Sequence, residues 1–215
     1  MSTRRRKRAI RKKRKLQQKI RRFGPLYRVP FRRRREMKTD YQQRKRLLKS
    51  GKIRFVARPS NKQVLVQFVE SKSGGDRTFS QTKSSDLKKY GWQITTSNLP
   101  AAYLTGYLAG KKALKLKIKE AILDIGIHTP NPGTRIFATL KGVVDAGVEI
   151  PCNEKMLPSE DRIKGEHIKS YAKLLAKEDK EKYNKHFSKY IEANVKPEDV
   201  PNIFKETKAK IDTTE

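Results

Sequence analysis

Apolar residues along this chain follow different spacings in different stretches, and each spacing predicts a different element. From residue 53 they alternate. In IRFVAR (53–58) Ile53, Phe55 and Ala57 point one way and Arg54, Val56 and Arg58 the other, which is the period of a strand. VLVQFVE (64–70) continues the pattern after the turn Pro59-Ser60-Asn61-Lys62, so one sheet face carries guanidinium groups. Ser73-Gly74-Gly75-Asp76 then turns the chain into a third strand near 77–81.

From Pro100 the spacing becomes helical. In AAYLTGYLAGKKALKLK the small residues Ala102, Gly106 and Gly110 recur at i, i+4 and i+8, which predicts close approach to a sheet, and Leu104 and Leu108 widen the buried face. The lysines that follow at once separate this stripe from a membrane dimerisation face. AILDIG (121–126) reads as a short buried strand. TRIFATLKGVVDAG (134–147) reads as a second amphipathic helix with Ile136, Leu140, Val143, Val144 and Gly147 in register. Three strands followed by helix, strand and helix predict an α/β fold, with helices layered on a mixed sheet.

Beyond Pro151 the apolar positions thin out but stay helical. Ser159 is a cap, with Glu160 and Asp161 in the first turn and Ile163, His167, Tyr171 and Leu174 at helical spacing. A second stretch, 179–192, carries Tyr183, Phe187, Tyr190 and Ile191, and a third after Pro201 carries Ile203, Phe204 and Ile211. Such a tail is too thin to form its own core and must pack on the main domain or a partner.

The first 52 residues are the opposite case. Residues 1–24 offer Leu16, Ile20 and Phe23 as one thin stripe among cations, which predicts disorder alone and folding only upon a polyanion. Pro25 and Pro30 break the chain before Arg32-Arg33-Arg34-Arg35. Thr39-Asp40-Tyr41-Gln42 then fits a capping box in which Thr39 caps a helix, Gln42 reaches back and Gly51 closes the far end. On that helix Tyr41, Lys45 and Leu48 share a face beside Leu47, with Arg44, Arg46 and Lys49 over the rest. The expected organisation is a basic arm (1–24), a basic strand and helix (25–52), an α/β core (53–151) and a helical extension (152–215).

Charge sharpens this picture. Among 215 residues, 53 Lys+Arg face 22 Asp+Glu, a net charge of +31; residues 1–52 hold +22 of it and residues 53–215 only +9. A polarised excess of this size needs a polyanion to neutralise it. Cys152 is the only cysteine and is read as an ordinary small apolar residue, so a reducing, intracellular setting fits best. His128, His167 and His186 lack zinc-ligand spacing. No run approaches the roughly 18 apolar residues of a membrane span, and no apolar stretch follows the basic N-terminus as a secretory signal would require.

An enzyme is a weaker reading. Asp124 at a strand end and His128 after it could suit a nuclease, but a two-metal site needs several converging carboxylates, and nothing gathers Glu120, Asp124 and Asp145. Thr129, Pro130 and Pro132 instead predict a rigid loop, with His128 structural or RNA-facing.

PFRRRREMKTDYQQR (30–44), NLPAAYLTGYLAGKKAL (98–114), LDIGIHTPNPGTRIFATLKGVVDAGVEIP (123–151) and RIKGEHIKSY (162–171) together resemble the archaeal and eukaryotic form of the 5S-rRNA-binding protein of the large ribosomal subunit. This is universal large-subunit protein eighteen, called protein five in eukaryotes. The resemblance covers about 25–211 and leaves 1–24 outside. It implies a three-layer α/β domain at the central protuberance, holding 5S rRNA against the large rRNA near a second 5S-binding protein. It places Arg32, Arg33, Arg34, Arg35, Lys38, Thr39, Tyr41 and Arg44 on 5S rRNA, with Met37 where a glycine is expected.

The residues suit that use. Arginines spaced along a strand and a helix can meet separate phosphates, and Tyr41 can stack on an unpaired base. Arg46, Arg54, Arg58, Asn61 and Lys62 extend the expected RNA surface. The expected partners are 5S rRNA, large-subunit rRNA and neighbouring ribosomal proteins, in the cytoplasmic ribosome, with no cofactor, no membrane and no catalysis. The alternative is a non-specific nucleic-acid binder or RNA chaperone driven by charge.

Overall fold

The computed structural model describes residues 28–214; the expected arm at 1–24 lies outside them. The chain divides into two compact units, one ending at Thr39 and one beginning at Asp40.

Within the first unit, the four arginines do not lie along an extended strand as expected. They form a single helical turn, α1 (Arg32–Arg35), after Phe31. The turn closes through Met37 N–H to the Arg34 carbonyl and Lys38 N–H to the Arg33 carbonyl, with Met37 left-handed at φ 53°. A left-handed residue after a helical turn is where glycine is least strained, which is the physical content of the glycine expected at this position.

The second unit begins with α2 (Tyr41–Leu48). Asp40, not Thr39, caps it: its Oδ1 accepts from the backbone N–H groups of Gln42 and Gln43 at 2.9 and 3.1 Å. A carboxylate is the better match for the positive end of a helix, and the Thr39 hydroxyl is engaged elsewhere. Gly51, at φ 66°, follows the helix.

A mixed sheet carries the rest. β1 (Arg54–Pro59), β2 (Val64–Lys72) and β3 (Gly75–Lys83) form an antiparallel meander, and β4 (Ile122–Asp124) joins parallel to β1, giving the order β3-β2-β1-β4. Phe55, Ala57, Val64, Val66 and Phe68 are fully buried on one face. Against that face lie α3 (Leu99–Lys115) and α4 (Arg135–Asp145). Trp92, which no periodicity marked, is buried beneath a 3-10 turn at Ser84–Tyr90.

The small-residue stripe serves a different contact from the one expected. A Cβ on Gly106 would collide with the Thr139 backbone, and one on Gly142 with the Tyr103 carbonyl, so α3 and α4 cross backbone to backbone. The glycines bring helix to helix rather than helix to sheet.

The tail forms the outer helical layer: α5 (Glu160–Lys164), α6 (Glu166–Glu178), α7 (Lys180–His186), α8 (Ser188–Glu192) and α9 (Val200–Thr214). It packs on the main domain through Ile163, Ala172, Leu175, Phe187, Tyr190, Val200, Phe204 and Ile211, which join the same core. α9 is also pinned to α3: Tyr107 Oη donates to Asp212, Lys111 pairs with Asp212 at 3.0 Å, and Lys208 Nζ lies 4.8 Å from the Tyr107 ring centroid. The buried stripe of α6 is rotated from the expected one. Gly165 breaks the helix at φ 86°, so Ala172 and Leu175 face inward while Tyr171 and Leu174 stay exposed. Cys152, expected to behave as an ordinary apolar residue, sits exposed in the preceding loop.

Candidate nucleic-acid interface

In the first unit the helical turn sends successive side chains about 100° apart around its axis. Arg32, Arg33, Arg34 and Arg35 are all exposed, so their guanidinium groups fan outward. Arg33 Nε donates to Thr39 Oγ1 at 2.8 Å, which ties the turn to the last residue of the first unit. Glu36 is engaged by Lys38 at 2.9 Å and by Arg32 at 4.0 Å.

In the second unit α2 presents Lys45, Arg46 and Lys49 to solvent, with Tyr41, Leu47 and Leu48 half-buried. An open groove along it is lined by Tyr41, Arg44, Lys45, Leu48 and Lys49. Its chemistry is an apolar strip rimmed by cations, which suits a base plane flanked by phosphates.

Arg44 is turned toward the sheet: its Nη2 lies 2.8 Å from both Asp76 carboxylate oxygens. Arg54, expected on an RNA-facing strand surface, is buried with 3% of its side chain exposed. It donates to Asp76 at 2.7 Å and to Asp124 at 2.9 Å. Arg58, half-buried, donates to Asp124 Oδ1 at 3.1 Å and to the Asp124 carbonyl at 2.8 Å. Arg54 and Arg58 do share one sheet face, but two carboxylates have claimed them. Burial of this kind requires paired charge, and β3 and β4 supply the partners.

The two acids respond accordingly. Burial works to raise the Asp76 pKa, yet hydrogen bonds from Arg44, Arg54 and Ser71 outweigh it and hold the carboxyl below its ordinary value. For Asp124 burial again opposes, and the Arg58 charge, hydrogen bonds from Arg58 and Arg54 and the Gly126 N–H bring the net shift down. Asp124 is thus an ion-pair partner, and among the described residues no group of three His, Cys, Asp or Glu side chains could hold a metal ion.

Asn61 and Lys62 stand exposed at the tip of the β1–β2 hairpin. The tip is fastened from behind, because Arg135 Nη1 donates to the carbonyls of Ser60 and Ser97 and Thr96 Oγ1 donates to the Lys62 carbonyl. Sequence reasoning missed Asp76 and Arg135 as structural partners of the basic surface. Asp76 read as a turn residue, and its place beside Arg54 depends on a bulge between Phe68 and Val69 that shifts the β2–β3 register. Among the described residues no helix is long and apolar enough to cross a membrane.

Residues 26–120 match the family described as "Ribosomal large subunit proteins 60S L5, and 50S L18". The large ribosomal subunit protein uL18 of Aeropyrum pernix is 49% identical over 190 residues, which cover 88% of this chain and 89% of that protein. The uL18 of Methanothermobacter thermautotrophicus is 49% identical over 189 residues, covering 88% of this chain and 97% of that protein. The chain belongs to the uL18 family. It is of the archaeal type, a structural constituent of the large subunit of the cytoplasmic ribosome rather than an enzyme. This uL18-family protein is thus a component of a ribonucleoprotein particle.

Proposed function

We propose that this protein binds 5S rRNA and attaches it to the large-subunit rRNA at the central protuberance, beside neighbouring large-subunit proteins that include a second 5S-binding protein. The observation that carries the reading is the exposed turn Arg32–Arg35, four guanidinium groups in succession with Lys38 after them. A-form RNA hides its base edges in a deep groove and is recognised through backbone and shape, which a fan of planar cations can grip. The groove on α2, with Tyr41 and Leu48 among cations, adds a place where an unpaired base can stack. Arg46, Asn61 and Lys62 are exposed and supply further donors to phosphates. Arg44, Arg54 and Arg58 serve from behind, through the carboxylates they hold.

The test is a salt-titrated affinity of the full-length protein for 5S rRNA, beside an unrelated structured RNA of equal length. A preference of about a thousandfold at moderate salt is the expected result. Equal affinities that collapse together as salt rises would instead mark a charge-driven, non-specific binder or RNA chaperone.

A further inference from the structure

Five charges of alternating sign form a continuous chain through the second unit: Arg44 on α2, Asp76 on β3, Arg54 on β1, Asp124 on β4 and Arg58 on β1. We infer that Asp76 is a positioning residue for RNA binding, a carboxylate that helps the protein hold a polyanion by fixing α2 on the sheet. The inference rests on the RNA-binding reading above.

α2 has eight residues, well below the roughly 12–15 at which an isolated helix becomes even marginally stable, so contacts with the rest of the protein must hold it. None of its residues is buried, and its apolar hold on the domain is limited to half-buried side chains. The Arg44 guanidinium reaches past them to both oxygens of Asp76. Asp76 is itself fixed from below, taking Arg54 Nη2 at 2.7 Å and Ser71 Oγ at 3.0 Å. Arg54 cannot follow a moving helix, because it is buried and also held by Asp124 at 2.9 Å. The links therefore transmit the position of the sheet to the helix that presents Lys45, Arg46 and Lys49. Without them, RNA binding must also order α2, and that cost comes out of the affinity.

The sign of the effect separates this role from simple electrostatics. Removing a negative charge brings the protein closer to a pure polycation and should strengthen binding to any RNA. Loss of a strut should weaken it. Glu160, an exposed carboxylate paired with Lys164 at 2.9 Å within α5, offers a matched removal of one charge on an element apart from α2.

The experiment compares 5S rRNA affinity for the wild-type protein, Asp76→Asn, Glu160→Gln, Arg44→Gln and the double variant Arg44→Gln/Asp76→Asn, together with amide hydrogen exchange of each free protein. Asp76→Asn should bind about fivefold or more weakly, whereas Glu160→Gln binds as well as wild type or better. The double variant should bind no more weakly than the weaker single variant, because both changes cut one link. Amides of Tyr41–Leu48 should lose protection in Asp76→Asn and Arg44→Gln while those of β1 and β2 keep it. Binding by Asp76→Asn that matches Glu160→Gln, or losses that multiply in the double variant, would overturn the inference. If Asp76→Asn loses protection throughout, Arg44→Gln decides: unchanged exchange in α2 overturns the inference, and local loss there upholds it. A wild-type protein that fails to prefer 5S rRNA sinks the RNA reading itself, and the positioning role with it.

Discussion

Arg54 donates to Asp124 at 2.9 Å across the parallel pairing of β1 and β4, and both side chains are buried. Arg54 is therefore a structural cation in a chain otherwise rich in exposed ones. Replacing it with alanine would leave Asp124 with Arg58 as its one remaining cation beside the Gly126 N–H, and take from Asp76 the partner beneath it. The expected cost is about 3–5 kcal/mol of unfolding free energy, read from urea denaturation. Arg32→Ala, on a fully exposed turn, should change stability by less than about 0.5 kcal/mol.

The same pairs set an acid limit on stability. Asp76 and Asp124 both have folded-state pKa values below the ordinary 3.8, so the native state binds fewer protons than the unfolded chain as these groups titrate. Their stabilisation is complete above the unfolded value and is lost as pH falls through the depressed folded values. Thermal unfolding of the free protein should thus hold its midpoint for this reason down to about pH 4 and fall steeply below it. Asp124→Asn should flatten that acid limb; a limb of unchanged steepness would mean that other groups govern it.

Which features were legible in the sequence follows from which interactions are local. Alternation in β1 and β2 and the helical stripes of α3 and α4 record burial residue by residue, so the α/β fold with a mixed sheet could be read directly. The cap on α2 was displaced by one position because Thr39 and Asp40 are both good caps; the Asp40 carboxylate better suits the helix N-terminus, and Thr39 Oγ1 takes the Arg33 hydrogen bond instead. The exposed face of β1 misled because alternation shows which way Arg54 points but not what covers it. Asp76 lies 22 residues away and reaches Arg54 only once the meander is formed. In the tail, the left-handed Gly165 reset the helical phase, an event that periodicity across the break cannot show.

Gly106 offers a sharper test of packing. A methyl group there meets the backbone of Thr139, which cannot swing aside as a side chain can. Gly106→Ala should cost about 3 kcal/mol or more, through separation of α3 from α4. Gly74→Ala, with nothing within 4 Å and no left-handed backbone, is the matched change and should stay within about 0.5 kcal/mol of wild type. Comparable losses at the two positions would show that the crossing is not the limiting contact.

The arginine turn gives the most direct prediction for binding. Arg33 and Arg35 differ in their surroundings: Arg33 Nε is committed to Thr39 at 2.8 Å, which leaves its terminal nitrogens to meet a phosphate in a fixed orientation. Each alanine substitution should weaken 5S rRNA binding by about 1–3 kcal/mol and reduce the steepness of the salt dependence by about one counterion. Arg33→Lys keeps the charge but loses both the fork and the donor to Thr39, so it should recover the salt slope without recovering the affinity. Thr39→Val, which removes only the acceptor, should reproduce part of that loss with the salt slope untouched. Full affinity in Arg33→Lys would mean that point charge suffices at this position, and unchanged binding by Arg33→Ala at moderate salt would remove Arg33 from the RNA surface.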